Sequence, residues 1–429
     1  MGVLLVLMFI VFVAIGVPIS FTLGIVSFTG ICALPNIPPD VVFTKLFNGL
    51  NSFTLLAVPL FILAANLMNA GSITDKLIDT CTYTVGRFRG GLAYANILVS
   101  MIFAGISGSS QADTAGIGKV LIPAMEKEGY DKETSVGVTA ISSTIGSIIP
   151  PSIIMVVYAG VANKSPSQLF MSGLLPGILV GFAQMAVVKF YSKRKNFPVS
   201  EKVPFKKVMK QILTSLPALF TPVLLIGGIV TGFFTATESA AFASVYALLI
   251  ALFFYHSFKM SQLPAILMDT MKLSALSLFA LATANALGEL LSYYHLNEVV
   301  AHFFTTLPGG KIAFLFVVIA FFLFVGMFMD AVPAIILFCP VIIPAAQAMH
   351  VDLIILGLIV VITLAYGLVT PPYGLCLLIA CSISNITIER GFKGTAPYFF
   401  ASMIVLLLLA LFPDFWLSLT TFLFPTLFG

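Results

Sequence analysis

Two proline pairs, Pro150-Pro151 and Pro371-Pro372, lie 221 residues apart in a chain otherwise built from long apolar segments. A proline pair removes two backbone donors and cannot sit in a regular helix, so each pair fixes a break inside an apolar stretch. The sequence around them repeats in the same ungapped register. Gly105 matches Gly326, Pro123 matches Pro344, Asp131 matches Asp352, Gly146 matches Gly367, Gly173 matches Gly394 and Pro176 matches Pro397. Four of the five prolines between Gly105 and Pro176 have a proline partner at this spacing, which apolar composition cannot produce by itself. The chain is two copies of one unit.

A 429-residue chain with 59% hydrophobic residues, 9% charged residues and a mean hydropathy of +1.10 is excluded from the soluble globular class. Its apolar segments have helix length rather than the alternating ten-residue pattern of a barrel, so it reads as an all-α polytopic membrane protein. The first residues, Met1 to Leu5, lack a basic leader region, and the first apolar segment is expected to be retained. The five cysteines show no CxxC spacing and read as small packing residues.

Residues 2–34 are too long for one span and carry Gly16 and Pro18 near their middle, which predicts two short crossing helices. A polar, proline-rich loop (Pro35, Asn36, Pro38, Pro39, Asp40) follows, then a span over about 51–70. Residues 73–89 intersperse Asp75, Lys76, Asp79, Arg87 and Arg89 among apolar side chains, the pattern of an interfacial amphipathic arm helix. From 91 to about 127 two apolar flanks enclose Ser107, Gly108, Ser109, Ser110 and Gln111, each flank marginal for a full crossing, which predicts a re-entrant helical hairpin. A helix from about Glu133 is then interrupted from Gly146 to Pro151, and a span over about 168–191 completes the unit.

The second unit repeats the plan, with spans near 213–232, 235–255 and 273–292, and an arm ending at Gly309-Gly310. A hairpin tip from Gly326 to Val332, a break from Gly367 to Pro372 and a last apolar segment from Pro397 follow. The expected parts are scaffold and arm of repeat 1 (1–90), its transport part (91–192), a basic cytoplasmic linker (193–210), scaffold and arm of repeat 2 (211–310) and its transport part (311–429). Five crossings per unit, with each hairpin counted as none, make the repeats inverted in topology.

Charge gives the same orientation. Eight of 21 Lys and Arg residues fall between Lys189 and Lys210, and working outward from that stretch seventeen fall inside and only Lys45, Lys164 and Lys311 outside. Both termini are then expected on the outer side. A basic stretch can also serve nucleic acid, but a loop obeying the positive-inside rule needs no further assumption, and no nucleic-acid partner is expected.

Breaking helices inside hydrocarbon strands polar backbone groups at several kcal/mol each unless protein, water or an ion satisfies them. Two tips and two breaks placed symmetrically should converge near the midplane. Helix N-termini there favour anionic groups, and unwound carbonyls favour cations. We expect one sodium ion at Ser107, Gly108, Ser110, Gly146, Ile149 and Pro150, and a second at Gly326, Met327, Met329, Gly367, Thr370 and Pro371. Ser109, Ser110, Ser152 and Asp330 are expected to meet the solute; Ser109 and Asp330 are register mates, so the tips differ there. The serines and glycines could instead serve close helix packing, and Asp330 could cap the returning hairpin helix. Asp113 is expected to cap its own hairpin arm, Glu238 and Glu289 to act as caps or interhelical contacts, and the four histidines to mark segment ends. No HExxH, GxSxG, phosphate-binding loop or paired-carboxylate pattern points to an enzyme.

The run from Phe103 to Ala115 (FAGISGSSQADTA), the Ile148-to-Ser152 break, Thr235-Ala236-Thr237-Glu238 and the Val369-to-Gly374 break resemble the large membrane subunit of tripartite ATP-independent periplasmic (TRAP) transporters, over nearly the whole chain. The resemblance implies a sodium-coupled importer in a bacterial inner membrane, with an elevator-type ion-transporter fold. It implies two partners: a small four-helix membrane subunit and a periplasmic solute-binding protein. The implied solute is a carboxylate, with sialic acid favoured and a C4-dicarboxylate next. The rival expectation is a stand-alone sodium- or proton-coupled anion symporter of similar fold.

Overall fold

The computed structural model describes residues 2–35, 37–71, 73–199, 204–306 and 308–428. Asn36 of the expected loop, Met1 and Lys202 of the basic linker lie outside the described residues, as does the side chain of Asp75. No strand occurs among the described residues.

The first half runs α1 (Gly2–Ala14), α2 (Ile19–Cys32), α3 (Asp40–Leu50), α4 (Ala57–Ala70), α5 (Ile73–Val85), α6 (Gly91–Ser107), α7 (Ser110–Lys127), α8 (Lys132–Ser143), α9 (Ile153–Ala162) and α10 (Pro166–Arg194). The second runs α11 (Phe205–Val230), α12 (Ala236–Leu249), α13 (Leu263–Tyr293), α14 (Leu296–Thr305), α15 (Gly310–Gly326), α16 (Ala331–Ala348), α17 (Leu353–Gly367), α18 (Leu375–Ser384) and α19 (Ile388–Leu411), followed by α20 (Pro413–Leu423). Six helices among the described residues are long and apolar enough to cross a bilayer alone. The shorter α6, α9, α17 and α18 are hairpin arms and halves of broken helices.

The two halves use the same local devices at matching places. Asp131 and Asp352 cap α8 and α17, their carboxylates accepting from the Thr134 amide and from the Ile354 and Ile355 amides. Asn163 and Asn385, both left-handed, end α9 and α18, and Gly90 and Gly309, also left-handed, precede the two hairpins. Both proline pairs are joined by cis peptide bonds. The two halves interlock: α8 packs on α19 so closely that a Cβ on Gly137 would fall on the Gly394 backbone. Elsewhere α4 pairs with α12, and α2 and α3 lie along α13.

Three element boundaries differ from the sequence expectation. A separate helix, α3, occupies part of the region before the expected span, because Asp40 starts a short helix after the proline cluster. The arm α5 ends at Val85 rather than 89. The last long helix begins at Ile388 and carries Pro397 inside it, where the sequence reading starts the segment at that proline. The repeat register also slips within the hairpins. α7 and α16 begin 221 residues apart, but α6 and α15 both begin and end 219 apart. The structural mate of Gly326 is therefore Ser107 rather than Gly105, whose missing side chain makes room for Pro222 of the scaffold.

Candidate functional site

Each hairpin tip meets the break of its own half through one backbone hydrogen bond. The Ile153 amide donates to the Gly108 carbonyl at 3.2 Å, and the Gly374 amide donates to the Met327 carbonyl at 3.4 Å. These pairs are equivalent once the two-residue slip is allowed for. Gly108 adopts φ 62°, and a Cβ there would lie 2.7 Å from the Pro151 carbonyl. In the second half Gly326 and Gly367 are face to face, a Cβ on the first lying 3.0 Å from the Cα of the second.

Around the first tip the side-chain oxygens form a buried cluster. Ser110 Oγ and Ser147 Oγ are 2.6 Å apart, Thr114 Oγ1 and Ser143 Oγ 2.5 Å, and Ser110 Oγ also donates to the Thr144 carbonyl at 3.4 Å. Ser107 Oγ donates to Asp113 Oδ1. Asp113 is fully buried, its Oδ2 has no hydrogen-bond partner, and Gly146 faces that oxygen where any side chain would collide with it. The expectation that Asp113 caps its hairpin arm is corrected: Ser109 is the cap, accepting from the Ala112 amide at 3.4 Å, and Asp113 turns back to Ser107.

Of the residues named for the first ion, Ser107, Gly108, Ser110 and Gly146 are thus brought to the tip, with Asp113 among them. Of those named for the second, Gly326 meets Gly367 and Met327 meets the break at Gly374, with different chemistry. Thr370 Oγ1 donates to the Tyr366 carbonyl at 2.7 Å, Met329 donates its amide to the Val325 carbonyl at 3.1 Å, and the remaining groups are backbone. Side-chain oxygens crowd the first site; main-chain oxygens dominate the second.

Both tips face one cavity of about 420 Å³, within the range of small-molecule sites. Ser109, Ser110, Gln111 and Asp330 line it from the tips, and Ser20, Asn66, Asn69 and Ser277 from the scaffold. Gln111 Nε2 donates to Asp330 Oδ1 at 2.6 Å, joining the two repeats across the site. Asp330 occupies the cap position of α16 without the side-chain capping bond of its alternative reading, and its carboxylate accepts from Gln111. Ser152 stands apart from its expected role: it is fully buried, caps α9 by accepting from the Met155 amide at 3.3 Å, and is not part of the cavity wall. Asn66 and Asn69, absent from the sequence-based site, were visible as two amides three residues apart in an apolar helix, which places them on one face. Glu238 closes a capping box with Thr235, Glu289 pairs with Lys45 at 2.8 Å, and His256, His295 and His350 are left-handed residues at helix ends.

This fold and site define a polytopic, all-helical membrane protein built from two repeated halves. Its shape is shared with the YdaH transporter of Alcanivorax borkumensis, at 14% identity and a TM-score of 0.67 over 87% of this chain and 88% of that one. Residues 6–415 match the model of the tripartite ATP-independent periplasmic transporter DctM component, and the chain belongs to that family. It is 34% identical to the C4-dicarboxylate TRAP transporter large permease protein DctM of Pseudomonas aeruginosa, over 88% of this chain and 89% of that protein. It is 31% identical to the sialic acid TRAP transporter large permease protein SiaM of Vibrio cholerae, over 96% of each. The protein is a TRAP large membrane subunit, a transporter component rather than an enzyme.

Proposed function

We propose that the chain moves a carboxylate solute inward with sodium ions, carrying it between the two hairpin tips while the transport part slides along the scaffold. The observation that carries this reading is the pair of equivalent tip-to-break hydrogen bonds flanking one cavity. The N-termini of α7 and α16 both open at that cavity, and helix N-termini favour an anionic group. The Asp113 carboxylate supports coupling at the first site. A buried carboxylate oxygen with no donor is costly, and a hard cation between it, Ser107 and the Gly146 turn would satisfy it. The second site offers carbonyls from Gly326, Met327, Gly367 and Thr370 for another ion.

Asp330 bears on the solute. Its carboxylate repels a second negative charge but accepts from hydroxyl or amide donors, which favours a hydroxylated monocarboxylate such as sialic acid over a C4-dicarboxylate. Asn66 and Asn69 lie at the end of α4 that leads to the basic arm, and in this reading that end of the cavity faces the cytoplasmic side. A small membrane subunit and a solute-binding protein complete the machine in this reading, and the exposed apolar face of α11 and α13 is available to lipid or to such a subunit.

The test is uptake of N-acetylneuraminate and of succinate by vesicles containing the chain, its small subunit and its binding protein. Sodium-dependent uptake of N-acetylneuraminate is expected, falling at least tenfold with Asp330→Ala. Equal uptake in potassium contradicts the coupling. Uptake by the chain alone, without binding protein, favours the stand-alone symporter.

A further inference from the structure

Of the three lysines placed on the outer side by the charge pattern, two are neutralised. Lys45 pairs with Glu289 at 2.8 Å and Lys311 pairs with Asp414. The third, Lys164, donates its backbone amide to the Ala159 carbonyl, but its side-chain ammonium has no ion pair or hydrogen bond among the described residues. A cation on the outer side runs against the positive-inside bias, so a free one calls for a reason other than topology. The fold does not supply that reason. Lys164 sits between the left-handed Asn163 and the cap Ser165; in the other half the same turn runs Asn385, Ile386, Thr387, so an apolar residue serves there equally well.

Lys164 lines a crevice of about 460 Å³ between the transport part and the scaffold. Asn163 and Ser167 belong to the transport side, and Asn48, Thr235 and Asn285 to the scaffold side. The crevice is separate from the cavity at the tips, yet related to it by the repeat. Ser52 and Leu55, which line the crevice, are the 221-residue mates of Leu273 and Leu276, which line the cavity. Two acids lie close to the lining segments. Glu289 is held by Lys45, and Glu238 turns onto the Thr235 amide at 2.8 Å, against the positive end of α12.

We propose that this crevice is an outer vestibule selective for anions, in which Lys164 and the surrounding amides and hydroxyls hold a carboxylate before the tips reach the outer face. The carboxylate assignment rests on the function proposed above; the anion selectivity does not. A single uncompensated cation in a crevice with low-dielectric walls concentrates anions and disfavours cations. The amides and hydroxyls supply both donors and acceptors, so they fit a hydroxylated carboxylate as well as a simple one.

The experiment places one cysteine at the crevice and reads its reactivity in right-side-out vesicles. Ser165 is exposed and its side chain makes no capping bond, so Ser165→Cys in a Cys32→Ser background leaves the turn intact. The probes are two membrane-impermeant thiol reagents of similar size, the anionic methanethiosulfonate ethylsulfonate and the cationic ethyltrimethylammonium analogue. Lys164→Gln is expected to lower the anionic-to-cationic rate ratio about tenfold, and Lys164→Arg to preserve it. A ratio unchanged by Lys164→Gln overturns the proposal, as does reactivity only from the inner side. A Lys164-dependent ratio in vesicles that take up no carboxylate keeps the vestibule and sinks the proposed function. Carboxylate uptake with an unchanged ratio does the reverse.

Discussion

Asp113 and Ser152 show how differently single residues can be read from sequence and from structure. An acid in the first turn of a helix is an ordinary partner for the helix N-terminus, and nothing near Asp113 in sequence says otherwise. Its environment is made by Ser107 across the tip and Gly146 from the break, and only the fold brings these together. Ser152 gives the opposite lesson: a serine after a proline pair fits a ligand role in sequence, but its hydroxyl is used locally as a cap. On the proposed coupling, Asp113→Asn should raise the sodium concentration for half-maximal uptake at least tenfold. Ser107→Ala should raise it by about tenfold, consistent with the 1.5–3 kcal/mol range of hydrogen bonds to charged groups. A sodium titration of uptake measures both, and curves that superimpose on the wild type remove Asp113 from the coupling site.

At the scale of elements, the hairpins and breaks were legible because prolines, glycines and polar clusters interrupt apolar runs in so few ways. The tips fell where expected, at residues 108–109 and 327–330. The two-residue slip of α15 against α6 was not legible, because an ungapped match rewards the coincidence of Gly105 with Gly326 and cannot see that they pack on different partners. The α8–α19 crossing was hidden for the same reason. Gly394→Val should drive a side chain into the Glu133 backbone and lower thermal stability in detergent by about 1–3 kcal/mol or more, with an unaltered melting curve as the contrary result.

The same crossing carries an ion pair. Arg390 Nε donates to Glu133 at 2.8 Å, and Lys195 pairs with Asp131 at 3.1 Å. Glu133 is held below its ordinary value by a bond to its own backbone amide and by Arg390. Burial works to raise Asp131, but hydrogen bonds from Thr134 and the charge of Lys195 outweigh it and the net shift is downward. Carboxylates depressed in the folded state stabilise it fully above their unfolded values, 4.5 and 3.8, and that stabilisation is lost as pH falls through the lower folded values. Both pairs are partly exposed, so the effect is small. Comparing melting at pH 7 and pH 3 should show the wild-type advantage over an Asp131→Asn, Glu133→Gln variant shrinking in acid. An advantage that grows in acid contradicts the assignment.

For the whole molecule, duplication was legible from two proline pairs, whereas the charge split, which counts loops rather than contacts, gives an expected orientation that the contacts do not test. The cavity was only half legible. Its tip residues stand in polar clusters, whereas its scaffold wall combines α2, α4 and α13, which no local pattern connects. The orientation is open to direct labelling: Phe233→Cys, in the exposed turn before α12, should react with an impermeant maleimide in right-side-out vesicles, and Lys206→Cys only after permeabilisation. The reverse pattern would invert the whole arrangement and place the tip cavity on the outer face. The central claim, that two inverted hairpin-and-break units couple sodium to carboxylate import, is tested most directly by N-acetylneuraminate uptake into vesicles containing the chain with its small subunit and binding protein, under an inward sodium gradient and then with potassium in place of sodium. The account predicts accumulation against the solute gradient with sodium and none with potassium; equal accumulation with either cation would contradict it.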